Sequence, residues 1–230
     1  MHIGLIGVGR MGRALAAKLV DHVILCVYDR EFSKMEALAN GLNVSNAEGM
    51  EQIARLGTVI LAVPDSEVIN CINIFNNMPH PVTVINVATN VKQKTLEETA
   101  ASHVKCIGVK FVGHAGEMLL GQRPVVIVDE RVPELVPRVE EIFQLVGQVI
   151  VGDSDIVSEI NTIAAEHVLA AGVHIEAGLR QQNITNPIII RSAIRQVAAG
   201  TLKAFADGNL GPFAQEIVHN IQEKVKTYKM

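Results

Sequence analysis

No basic cluster occurs anywhere in this chain, and its 20 lysines and arginines against 24 acidic residues leave a net charge of −4. Nothing therefore steers it to a polyanion, and neither nucleic acid nor an anionic membrane is expected as a partner. Cysteine is scarce as well. Cys26, Cys71 and Cys106 lie in or beside apolar strand or helix patterns, without metal-like spacing or a disulfide framework, as buried thiols of a reducing compartment do. No apolar run approaches the length that spans a bilayer, and the first residues form a core strand rather than a basic and apolar leader, so a cytoplasmic protein is expected. Internal repeats, low-complexity tracts and long linkers are also missing. What remains is a chain whose 49% apolar content is enough for a sizeable core without covalent staples.

The most informative stretch is the first. A short apolar strand, Ile3 to Ile6, runs into Gly7-Val8-Gly9-Arg10-Met11-Gly12, and a helical pattern follows with Ala14, Leu15 and Leu19 on one face. Gly-x-Gly-x-x-Gly between a strand and a helix is the dinucleotide fingerprint: Gly7 permits the tight turn, Gly9 lets the backbone approach a pyrophosphate, and Gly12 lets the helix pack on the strand. The phosphates then lie on the amides of the helix N-terminus, beside Arg10 and Met11. A second strand, Val23 to Tyr28, ends in Asp29, about twenty residues after the glycines, where a carboxylate accepts both ribose hydroxyls of an adenosine. Asp29 opposes a 2′-phosphate, whereas Arg30 and Arg10 attract one. The cofactor is thus NAD or NADP, with NAD slightly favoured.

Strand and helix signals then alternate. A brief strand is expected at Leu42 to Val44, a buried one at Thr58 to Val63, and others at Val82 to Val87, Lys105 to Phe111, Val125 to Val128 and Gln148 to Val151. This is the pattern of a doubly wound α/β sheet, in which ligands lie beyond the carboxyl ends of the strands. The loop at Val63 and Pro64 should accordingly pass the cofactor. After Gly152 no strand signal occurs, and the rest is helical. One helix runs from about Ile156 to Gln182, a second starts at Asn186-Pro187 and continues to Ala206, and a third starts at Pro212. The expected division is residues 1–152 as the dinucleotide-binding domain and 153–230 as a helical dimerisation and substrate domain. Three largely apolar helices need a covering surface, so a homodimer is expected.

Hydride chemistry belongs to the nicotinamide, which leaves the protein to hold a substrate and manage a proton. His114 sits in a glycine-flanked loop after the Lys105 to Phe111 strand, and an imidazole titrates near working pH. Lys110 is a candidate anchor for a substrate carboxylate. Asn86 at the end of its strand, and Thr89 just beyond, are candidates to meet the nicotinamide amide or the substrate. Glu159 and Glu166 share a helix face without metal-like partners, and no metal is expected.

Together the two halves resemble the pyrroline-5-carboxylate reductase and prephenate dehydrogenase branch of the 6-phosphogluconate dehydrogenase-like oxidoreductases. The resemblance covers most of the chain. It is carried by Ile6 to Gly12, by Ala62-Val63-Pro64, by Ala177-Gly178-Leu179, and by Arg195-Gln196-Val197-Ala198-Ala199-Gly200-Thr201-Leu202-Lys203. It implies an N-terminal Rossmann sheet, a helical dimerisation domain that interlocks with a second copy, and NAD(P)-dependent reduction of a small carbonyl or imine substrate. Three departures concern the substrate. The reductases' Ser-Gly-Ser-Gly turn is replaced by Val157-Ser158-Glu159-Ile160-Asn161, and their Ser-Pro-Gly-Gly-Thr-Thr segment has no counterpart between Asp207 and Pro212. Their Met-Pro-Asn loop is replaced by Phe111-Val112-Gly113-His114, which is closer to the His-containing loop of prephenate dehydrogenases. Two functions follow from this pattern: an oxidoreductase with an altered substrate, or a cofactor-binding regulatory protein without turnover.

Overall fold

Short apolar runs bounded by turn residues become strands, and the longer amphipathic segments between them become the helices that cover both faces. In the computed structural model, which describes residues 1–227, the chain begins β1 (His2–Ile6), α1 (Arg10–Leu19), β2 (Ile24–Tyr28), α2 (Phe32–Ala39), β3 (Ser45–Asn46) and α3 (Met50–Ala54). It continues β4 (Thr58–Leu61), α4 (Asp65–Asn76), β5 (Val82–Asn86), α5 (Gln93–Thr99), β6 (Val104–Val112), α6 (Ala115–Leu119), β7 (Val125–Asp129), α7 (Val136–Gln144) and β8 (Gln148–Gly152).

The strands form one eight-stranded sheet in the order β3-β2-β1-β4-β5-β6-β7-β8. All neighbouring pairs are parallel except β6 and β7. The chain starts in the interior of the sheet, winds outward through β2 and β3, then returns to place β4 on the other side of β1. Strand order therefore reverses between β1 and β4, and the crevice outside their carboxyl ends is the switch point where such sheets take ligands.

Alternation along each strand sends successive side chains to opposite faces. Ile3, Leu5, Ile85 and Ile107 pack with Leu15 and Leu19 of α1, Met118 of α6 and Phe143 of α7. On the other face, Val59, Leu61, Val84 and Cys106 pack with Ile53 of α3, Ile72 and Phe75 of α4, and Leu96 of α5. Burial on both faces is why these strands read as continuous apolar runs.

Two details differ from the sequence expectation. Leu42 and Val44 are not a strand. They tuck against the core beside α2, and the polar Ser45 and Asn46 pair with Cys26 and Val27 as the edge strand instead. β6 is also longer than expected: Val104–Gly108 pairs with β5, and Val109–Val112 runs on beyond it to pair with β7. The end of β6 thus overhangs the carboxyl edge.

The remaining elements are α8 (Ile156–Gln181), α9 (Pro187–Ser192), a π-helical turn (Ala193–Ala198), α10 (Ala199–Ala206) and α11 (Pro212–Thr227). Asn186 caps α9 through its side-chain oxygen, which accepts from the Ile188 amide at 2.9 Å. Asn183 and Gly208 adopt left-handed conformations just past α8 and α10, as chain-stopping residues do. The π turn has no sequence signal, because apolar residues keep their three-to-four spacing through it. By its internal contacts the chain divides into Met1–Thr162 and Ile163–Met230.

Candidate functional site

The turn from β1 into α1 is held by two glycines. The Gly7 amide donates to the Tyr28 carbonyl at 2.9 Å. Gly7 has a φ of +94°, and a side chain there would also strike the Ala62 carbonyl. At Gly12 a Cβ would lie 1.9 Å from the Gly7 carbonyl oxygen, so only glycine allows the helix this close to the strand. Gly9 is different. Its φ of −75° suits any residue, and a Cβ built on it meets nothing within 4 Å. Nothing in the protein itself requires glycine at this position, and the open space in front of it is where a ligand can come close. The first turn of α1 contains no acidic residue and no side chain caps it. Its leading amides and the positive end of its dipole are therefore left for an anion.

Asp29 directly follows β2, beside this turn. One carboxylate oxygen accepts from the Val8 amide at 2.7 Å and the other from the Glu31 amide at 2.9 Å. Each oxygen keeps a further lone pair for a hydroxyl donor.

A cleft of about 530 Å³ opens along these carboxyl ends. Of the residues singled out from the sequence, Gly7, Gly9, Asp29, Arg30, Val63 and Pro64 line it. Arg10 is exposed, Met11 is half-buried against the core, Gly12 is buried under the turn and Thr89 is half-buried, and none of the four lines the cleft. Tyr28, Glu31, Lys34, Glu67 and Cys71 line it without having been anticipated. Arg30 forms an ion pair with Glu67, and Lys34 forms one with Glu31 at 2.5 Å. Burial, with help from Glu67, pushes the Cys71 thiol up to about 11, which keeps it neutral and unreactive near pH 7.

Farther along the same edge lie the candidates for chemistry. Asn86 is fully buried, and its amide closes on Ala88, accepting from that amide at 3.1 Å and donating to its carbonyl at 3.3 Å. Lys110 is only 1% exposed, and its ammonium rests on Asp155 at 2.6 Å. His114 is exposed two residues past the overhanging end of β6, and its carbonyl accepts from the Glu117 and Met118 amides to start α6. The expected loop therefore contains a short helix, anchored by the buried Met118. The loops after β4 and β5 are joined to α8: Ser158 donates to Asn90 at 2.7 Å, and Asn90 donates to Asp65 at 2.7 Å. Asn161 donates to the Phe111 carbonyl at 2.9 Å.

Lys110 belongs to a wider network. The Arg131 guanidinium contacts Asp129 at 2.6 Å, Asp153 at 3.2 Å and Asp155 at 2.8 Å. These three carboxylates have oxygens within 4.8 Å of one another, and the guanidinium supplies the positive charge that such a group needs. Burial pushes Asp129 up, but hydrogen bonds from Arg131 and Ser154 outweigh it and hold the carboxyl below its usual range. Asp155 is held down in the same way by Lys110 and Arg131 against its own burial. No local pattern announces pairs such as Arg30 with Glu67 or Lys110 with Asp155, because their partners are 37 and 45 residues apart.

Residues 2–154 match the family described as the NAD binding domain of 6-phosphogluconate dehydrogenase. No curated protein matches the chain. Among solved structures, the chain is similar to a pyrroline-5-carboxylate reductase from Coxiella burnetii at 15% identity and a TM-score of 0.70, covering 99% of this chain and 89% of that one. It is also similar to the Plasmodium falciparum pyrroline carboxylate reductase with NADP bound, at 18% identity and a TM-score of 0.66, covering 100% and 92%. An imine reductase variant from Myxococcus stipitatus in complex with NAD+ gives 15% identity and a TM-score of 0.63, covering 97% and 76%. At these identities the likeness establishes a shared fold.

Proposed function

Since the chain belongs to the family of the NAD binding domain of 6-phosphogluconate dehydrogenase, we propose that it is an NAD(P)-dependent oxidoreductase acting on a small carbonyl or imine. The observation that carries this is the turn at Gly9, where open space lies in front of the backbone between the uncapped N-terminus of α1 and Asp29. A dinucleotide fits there. The uncapped start of α1, at Arg10, Met11 and Gly12, would receive the pyrophosphate, Asp29 would accept from the adenosine ribose, and Val63 and Pro64 wall the cleft. Asp29 favours NAD, because a carboxylate accepts from free hydroxyls and repels a 2′-phosphate. Structural neighbours occur with either cofactor bound.

With the adenosine at β2 and the pyrophosphate at β1, the nicotinamide half extends past β4 toward β5 and β6. The bound dinucleotide supplies the hydride, and the protein must supply the proton. We assign that role to His114, since it is exposed just past the overhanging end of β6 and an imidazole can both give and take a proton. Thr89 and Asn86 shape the loop that faces the ring. Lys110 acts as a positioning residue, since its ammonium is committed to Asp155. The departures from the Ser-Gly-Ser-Gly and Ser-Pro-Gly-Gly-Thr-Thr elements point to a substrate other than pyrroline-5-carboxylate. The helical part supports a homodimer, because Leu169, Val173, Ile188, Val197 and Phe213 are all exposed.

A screen of carbonyl and imine compounds that follows NAD(P)H absorbance tests the reading. On any compound turned over, His114→Ala should lower kcat by about a hundredfold while leaving dinucleotide affinity nearly intact. Full activity in that variant removes His114 from the mechanism. Efficient reduction of pyrroline-5-carboxylate contradicts the altered substrate. The commitment of Asn86 to Ala88 and of Lys110 to Asp155 favours a second reading, a cofactor-binding regulatory protein, which predicts dinucleotide binding without turnover throughout the screen.

A further inference from the structure

Both cations at the adenosine end of the cleft are already held by carboxylates. Arg30 follows β2 and Glu67 lies in the first turn of α4, so their ion pair reaches from one wall of the cleft to the other across the end of β1. Lys34 is held locally by Glu31, three residues earlier. The cleft lining here includes the carboxylates of Asp29, Glu31 and Glu67 against the cations of Arg30 and Lys34. That leaves an excess of one negative charge where a 2′-phosphate would add about two more.

A guanidinium beside the adenosine ribose is ordinarily the group that accommodates a 2′-phosphate. Here it has a competitor. Glu67 is three-quarters buried whereas Arg30 is mostly exposed, so the carboxylate is the fixed member of the pair and the arginine is the one drawn to it. We propose that Glu67 sets cofactor choice by holding Arg30 away from a 2′-phosphate, so that the cleft selects a dinucleotide with a free 2′-hydroxyl. The proposal rests on the assignment of this cleft to NAD(P) and adds to it a determinant outside β2. Glu67 acts through Arg30 and is a positioning residue, whereas Asp29 acts on the ribose itself. An exposed ion pair is weak in water, and it matters here because phosphate and carboxylate compete for the same five donors.

The test is calorimetric titration of the full chain with NAD+ and with NADP+, read as the ratio of the two affinities. Glu67→Gln should move that ratio toward NADP+ by roughly tenfold, the scale of one charge neutralised beside a partly exposed phosphate. On an Arg30→Gln background the same substitution should move it by less than about twofold, because there is no guanidinium to release. A wild type that binds NAD+ and a Glu67→Gln variant with an unchanged ratio overturn the proposal while leaving the cleft assignment standing. A shift that persists without Arg30 overturns it in favour of through-space repulsion by Glu67. A wild type that binds neither dinucleotide overturns the assignment and the proposal together.

Discussion

Aromatic side chains show how differently the two parts of this chain treat apolar surface. Phe75, Phe111 and Phe143, within Met1–Thr162, are at most 3% exposed and Phe32 alone there is out at 59%, whereas Phe205 and Phe213, within Ile163–Met230, are 54% and 78% exposed. The first part closes on itself, because each inner strand offers two apolar faces and the alternating helices cover both. In the second part Ile190 is the only buried large hydrophobic among the described residues. The sheet half thus buries its own apolar surface, and the helical half leaves much of its own exposed. Damage to the first should appear as lost stability or lost ligand binding, and damage to the second as lost association.

The largest expected effect is on association. Leu169 and Val173 lie one helical turn apart on α8, both exposed. Replacing both with Asp places two charges in the proposed interface and removes two apolar contacts of about 1.5–3 kcal/mol each. The dimer dissociation constant should rise by at least a thousandfold, about 4 kcal/mol. Light scattering at micromolar protein should find dimers for the wild type and monomers for the variant. A wild-type monomer would erase the contrast between the halves.

In the sheet half, Lys110→Met should act on stability instead. The substitution leaves Asp155 beside Arg131 without its second cation, and breaking a buried pair on one side costs about 3 kcal/mol. Denaturant unfolding should register that loss with no change in oligomeric state. Unchanged stability together with a raised KM would instead make Lys110 a substrate anchor.

The glycine pair separates the same two kinds of damage within one turn. Gly12→Ala forces a Cβ against the Gly7 carbonyl and should lower stability by roughly 2–3 kcal/mol. Gly9→Ala should keep its stability and weaken dinucleotide affinity by about a hundredfold, close to 2.7 kcal/mol, because its Cβ enters only open space, where the proposed cofactor's phosphate would come close. Equal loss of stability in both variants would reduce Gly9 to a turn residue.

How far the sequence alone reaches follows the same logic. The glycine turn, β1, β2 and Asp29 are local in sequence, each dictated by period or by a backbone requirement, and they stand in the structure as expected. The long α8 and the Asn186 cap are equally local. What escaped depends on distant partners. Glu67 reads as one acidic residue in a helix start until β4 brings it opposite Arg30. Lys110 reads as a candidate substrate anchor until Asp155, 45 residues later, is brought to its ammonium. Leu42 and Val44 carry the composition of a strand, but their apolar side chains are drawn to the core and leave the edge pairing to Ser45 and Asn46.

The smallest effect expected is a pH dependence confined to the sheet half. Asp129 and Asp155 are both pushed up by burial. The Arg131 and Ser154 hydrogen bonds on Asp129, and the Lys110 and Arg131 hydrogen bonds on Asp155, more than offset this and hold both carboxyls below the ordinary aspartate range. A carboxyl whose folded pKa lies below its unfolded one stabilises the fold fully at pH values above the unfolded pKa. That contribution is lost as pH falls through the folded value. The denaturation midpoint should therefore be flat from about pH 7 to pH 5, and decline only below about pH 4. Lys110→Met removes the leading favourable contact of Asp155, so its decline should begin at higher pH than in the wild type. In the Leu169→Asp, Val173→Asp monomer the onset should stay where the wild type has it, because every member of this network precedes Thr162. An onset that moves with oligomeric state instead would mean that the network is not self-contained and that the two halves share the acid response.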